Sequence, residues 1–102
     1  MNAQHAQNDK NAKSITIKAY IGSNNSTKEL EIEKIIAILD KNHEGFTLDY
    51  PVTGYWRGEA EKTAILYLGD TEAKVLTTLK ELKIALQQEA IAYQVENELT
   101  II

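Results

Sequence analysis

The chain has 102 residues, a formal net charge of -4, 43% hydrophobic and 25% charged residues, and no cysteine. At this size and balance one domain with one modest core is expected, and disulfides, thiolate chemistry and cysteine-based metal sites are excluded. Its Lys and Arg number eleven, are scattered, and include Arg57 as the single arginine, which speaks against nucleic-acid or membrane-surface partners, whose phosphates need clustered basic residues.

No apolar run approaches the ~20 residues of a spanning helix, so a cytoplasmic protein is expected, although a removed export signal would leave no trace. Residues 1–13, rich in Asn, Gln and Lys, read as a disordered polar tail before a single domain over 14–102. From Ser14 to Gly22 the apolar residues Ile15, Ile17, Ala19 and Ile21 alternate with Thr16, Lys18 and Tyr20. Period two with one apolar face predicts a half-buried strand.

Between Lys28 and Asn42 the period changes. Ile32, Ile35, Ile36 and Leu39 form the i, i+3, i+4, i+7 stripe of an amphipathic helix. His43-Glu44-Gly45 supplies a stop, with Gly45 suited to the left-handed position after a helix. Alternation resumes at Phe46, Leu48, Tyr50 and Val52 and continues in phase to Gly54 and Trp56. Gly58 to Glu61 reads as a turn and Lys62 to Gly69 as the returning central strand. Asp70 or Thr71 can cap a second helix carrying Val75, Leu76, Leu79, Leu82 and Leu86. A last strand holds Ile91, Tyr93 and Val95, and the terminal Leu99-Thr100-Ile101-Ile102 can add an edge piece. The order βαββαβ, with right-handed crossovers, predicts an α+β ferredoxin-like two-layer sandwich: an antiparallel sheet with two helices on one face.

Two stretches stand out. In Gly22-Ser23-Asn24-Asn25-Ser26-Thr27-Lys28-Glu29, Ser26 and Glu29 have capping-box spacing, and Gly22 and the asparagines suit a sharp exit from the strand. What that reading leaves over is Ser23 and the paired asparagines, a candidate polar-ligand loop. It lacks the second glycine and the Gly-Lys-Ser/Thr of a phosphate loop. In Gly54-Tyr55-Trp56-Arg57-Gly58, parity sends Trp56 toward the end of the core. The same parity sends Tyr55 and Arg57 to the side without helices, with Lys18, Tyr20, Ile65 and Tyr67. A bare sheet face so rich in tyrosine suggests an interface.

Catalytic constellations are poor. His5 falls in the tail, His43 reads as structural or solvated near a helix C-terminus, and no nucleophile motif or metal-ligand spacing occurs. No catalytic residue, cofactor or metal is therefore assigned.

The strings Tyr20-Ile21-Gly22-Ser23-Asn24-Asn25, Gly45-Phe46-Thr47, Gly54-Tyr55-Trp56-Arg57-Gly58 and the glutamates before the apolar strand resemble a group of small uncharacterised bacterial proteins. By fold alone the chain is similar to ACT-like and PII-like regulatory modules, which implies ligand binding near the first loop at subunit interfaces. Hallmarks of other families with this topology are missing: the Cys-x-x-Cys of metal chaperones, the basic-aromatic string of RNA-recognition domains, and the catalytic arginine loop of acylphosphatases.

The sequence thus points to a non-enzymatic homo-oligomer, joined through the open sheet face at Tyr20, Ile65 and Tyr67. Its expected ligand is small and polar or anionic, held by Gly22, Ser23, Asn24, Asn25, Tyr55 and Arg57. Arg57 would offer its planar donor fork to a carboxylate or phosphate. The alternatives are a protein-interaction or inhibitor domain and an enzyme of the dimeric α+β barrel kind, with Tyr20 and Tyr67 as its candidates.

Overall fold

The computed structural model describes residues 14–95; the expected tail over 1–13 and the terminal edge piece lie outside the described residues. The elements are β1 (Ser14–Ile21), α1 (Ile32–Asn42), β2 (Thr47–Trp56), β3 (Glu59–Thr71), α2 (Glu72–Ala85) and β4 (Ala92–Val95). They form a four-stranded sheet in the order β2-β3-β1-β4, with every neighbouring pair antiparallel. This is the expected α+β architecture, compatible with a ferredoxin-like sandwich.

The core follows from the two periodicities. Ile15, Ile17, Ala19 and Ile21 of β1, and Ala64, Leu66 and Leu68 of β3, meet Ile35, Ile38 and Leu39 of α1 and Val75, Leu79 and Leu82 of α2. Burying each Ile, Leu or Val side chain among them is worth about 1.5–3 kcal/mol. Thr71 caps α2, accepting a hydrogen bond from the Lys74 N–H. The opposite sheet face carries Lys18 over the rings of Tyr20 and Tyr67, 5.8 and 5.9 Å from their centroids. No helix of the described residues is long and apolar enough to cross a membrane.

Four local expectations are corrected. The first helix starts at Ile32 and not near Lys28, because residues 24–29 close on themselves. The Asn24 N–H donates to Glu29 O at 2.8 Å and the Lys28 N–H to Asn24 O at 2.7 Å, with Lys28 at φ +66°. A left-handed residue there blocks helix propagation. No capping box forms: the Glu29 N–H donates to Thr27 Oγ1 at 3.2 Å, and Ser26 Oγ donates to Gln87 Oε1.

At its other end α1 stops because His43 turns extended (φ -139°, ψ 151°), and Gly45 takes no left-handed conformation.

The third correction concerns β2. Its ladder slips by one residue between Asp49, opposite Ile65, and Val52, opposite Thr63. Pro51, without an N–H to give the ladder, sits in that bulge. An extra residue reverses parity. Trp56 therefore pairs with Glu59 on the helix-free face, while Tyr55 pairs with Ala60 on the other. The turn is also shorter than expected: Arg57 (φ +52°) and Gly58 (φ +83°) make a two-residue hairpin, as a type I′ turn requires.

Candidate functional site

The pairs from Val52–Thr63 to Trp56–Glu59 run on past the last β1–β3 pair, Ile21–Ala64. Five such pairs make an arm about 17 Å long at strand rise. Facing it are the β1–α1 loop and the α2–β4 loop, which are joined to each other. The Gln88 side chain donates to Ser23 O, and Ser26 meets Gln87.

The first loop is also anchored to β3. Ser23 Oγ donates to Lys62 O at 2.9 Å and the Ser23 N–H to Glu61 Oε2 at 3.2 Å. Asn24 Oδ1 accepts from the N–H groups of Ser26 and Thr27 at 2.7 and 3.1 Å. Its Nδ2 donates to Glu31 Oε1 at 3.0 Å, a bond that, with Lys34 nearby, holds the Glu31 carboxyl below its ordinary range.

Two clefts lie where arm and loops meet. One, of about 430 Å³, is bordered by Tyr20, Gly22, Trp56, Glu61, Thr63 and the segment from Gln88 to Ala92. The other, of about 400 Å³, runs between Ser23 to Leu30 and the start of β3. Asn25, Trp56 and Glu61 border both.

The sequence-predicted residues divide accordingly. Gly22, Asn25 and Tyr55 border the first cleft, and Ser23, Asn24 and Asn25 the second. Ser23 and Asn24 are buried, and the hydrogen bonds above show them fastening the loop. Arg57 borders neither cleft; its guanidinium lies 5.4 Å from the Trp56 ring centroid and 3.6 Å from Glu89. Tyr20 joins the cleft wall, whereas Ile65 and Tyr67 stay on the open face beside it.

Sequence reasoning passed over Glu61, Trp56 and Thr63 as cleft residues. The glutamate looked like a turn charge, and the bulge hid the parity of the tryptophan. Pro51 inside an alternating run was the available signal.

The opposite end of the sheet holds a cavity of about 670 Å³ beside His43 and Asp70. His43 is buried there and clasped from two elements: Nδ1 lies 2.7 Å from Asp70 Oδ2 and Nε2 2.7 Å from Thr78 Oγ1. Asn42 Nδ2 donates to Thr78 Oγ1 and to Glu81 Oε1, both at 3.1 Å. Burial raises the Asp70 carboxyl. Hydrogen bonds from His43 and the Thr71 N–H, with the nearby charges of Lys74 and His43, outweigh this and hold it below its ordinary range. The Asp-His-Thr sequence is reminiscent of a hydrolase triad in chemistry alone, since Thr78 is 1% exposed and no substrate carbon can reach it. It is a structural clasp between the end of α1, the end of β3 and α2.

The sequence matches no known protein family and no curated protein. By structure the chain is similar to a DUF3240 family protein from Shewanella baltica OS155, with a TM-score of 0.56 and 16% identity over 79% of this chain and 86% of that one. It is also similar to a phage SAM lyase in complex with S-methyl-5'-thioadenosine, with a TM-score of 0.50 and 20% identity over 80% of this chain and 79% of the lyase. At such identities the shared property is the fold.

Proposed function

We propose that this chain is a small-molecule-binding module whose ligand lies in the cleft between the hairpin arm and the two loops. The observation that carries this reading is the lining of that cleft. Tyr20 and Trp56, 37% and 53% exposed, border a space of about 430 Å³ together with Glu61, Thr63 and Asn25. Small-ligand sites have this size and this mixture of aromatic area with a few polar groups. A flat ring packed on Trp56 is the simplest occupant. S-methyl-5'-thioadenosine, the ligand of the phage lyase, supplies such a ring and is the probe of choice.

Calorimetric titration of the purified chain with that thioether is the test. Binding that Trp56→Ala and Asn25→Ala each weaken at least about tenfold is expected. No binding, or binding indifferent to both substitutions, overturns the reading.

The open sheet face, with Tyr20, Ile65 and Tyr67, is proposed as a self-association surface. A partially exposed tyrosine-rich face beside the cleft supports this. Sedimentation at high concentration checks it, and a strict monomer ends it.

A second reading, an enzyme acting on adenosyl compounds, has the phage lyase in its favour. Unchanged S-adenosyl-L-methionine after prolonged incubation with the protein at stoichiometric concentration would remove it.

A further inference from the structure

We infer that the cleft selects ligands carrying a sulfonium cation, and that Glu61 is the residue that discriminates them from the corresponding neutral thioethers. This rests on the proposed binding role of the cleft and adds to it the charge of the ligand.

The charged side chains bordering the larger cleft are Glu61 and Glu89. Glu89 already faces Arg57 at 3.6 Å. Glu61 has one hydrogen-bond donor among the described residues, the Ser23 N–H at 3.2 Å, and no cationic partner among them within salt-bridge distance. Lys18, on the same sheet face, stands over the rings of Tyr20 and Tyr67, and does not border the cleft.

The carboxylate is held in place by a feature of the backbone. It lies against Gly22, where a Cβ would overlap its Oε2 and come within 2.9 Å of Cδ. Glycine at this position lets the carboxylate settle over the strand end, where the Ser23 N–H fixes one oxygen. A carboxylate oriented in this way in a cleft bordered by Tyr20 and Trp56, whose rings already have Lys18 and Arg57 near them, makes a site for a sulfonium group. The carboxylate attracts it by Coulomb interaction, and the rings supply apolar area around it. An anionic group would meet the same field as repulsion. For that reason the cleft does not suit the carboxylate or phosphate ligand that Arg57 alone would suggest.

S-adenosyl-L-methionine and S-adenosyl-L-homocysteine form a matched pair of probes, differing by one methyl and the positive charge on sulfur. S-methyl-5'-thioadenosine is the neutral control for the ring site. Calorimetric titration should give wild-type affinity for the sulfonium at least about tenfold above that for homocysteine thioether, the size of a partly desolvated cation contact. In Glu61→Gln, which keeps an acceptor for the Ser23 N–H but loses the charge, the ratio should fall to about one. Gly22→Ala, which changes no charge, should lower the same ratio by displacing the carboxylate. A merely structural Glu61 would weaken all three compounds together and leave the ratio unchanged, which would overturn the inference. A wild-type ratio of about one with retained thioadenosine binding overturns it as well and leaves the binding role standing. Failure of all three compounds to bind wild-type protein overturns that role, and this inference with it.

Discussion

The two ends of β3 treat polar side chains in opposite ways. At the Asp70 end, His43, Thr78, Asn42 and Asp70 use one another's donors and acceptors, and the ring of His43 is sealed from solvent. At the Glu61 end the loop residues Ser23 and Asn24 are as fully paired, yet Tyr20, Tyr55 and Trp56 stand open around a cleft. One end is built for stability and the other leaves surface uncommitted. A histidine is therefore the weaker functional candidate here, although by residue type it would be the first choice in most sequences.

Substitutions can break this comparison. His43→Ala removes a buried ring and strands Thr78 and Asp70, so a loss of about 3 kcal/mol in urea unfolding is expected. Trp56→Ala, at an exposed arm, should cost under about 1 kcal/mol in the same experiment. Equal losses would erase the distinction between the two ends.

Asn24→Ala comes next. It leaves the N–H groups of Ser26 and Thr27 without their acceptor, and about 2 kcal/mol should go. A loss confined to ligand affinity would instead make Asn24 a contact residue.

The clasp also has a pH signature. Asp70 sits below its ordinary value of 3.8 when folded, so the unfolded chain takes up its proton first. The stability from this group is whole above that value and is lost as pH falls through the folded pKa. Asp70→Asn should therefore be less stable than wild type at pH 7, with the difference shrinking below about pH 4. A constant difference across the acid range would mean that the carboxylate charge contributes nothing.

The smallest effect belongs to the arm. Arg57 occupies the first left-handed position of a type I′ turn, where asparagine is preferred. Arg57→Asn should add about 0.5 kcal/mol to stability, read as a rise in melting temperature. If it destabilises, the Arg57 contacts with Trp56 and Glu89 outweigh the backbone preference.

The periodicities of Ile15 to Ile21, of Ile32 to Leu39 and of Val75 to Leu86 determined the element types, their order and therefore the fold, because burial of one face repeats with the backbone's own geometry. Thr71 as a cap was legible for the same local reason. Tertiary structure alone decided the rest. Whether Ser26 capped a helix depended on Asn24 closing a loop first and on Gln87 arriving from the far end of α2. Which way Trp56 faced depended on one extra residue at Pro51, since a single bulge reverses every side chain beyond it. Glu61 looked like a solubilising charge, and it became the wall of a cleft only when β3 brought it over Gly22 and within reach of the Ser23 N–H, 38 residues away in sequence. Local pattern specifies what each segment is, whereas contacts between distant segments set what its polar groups face.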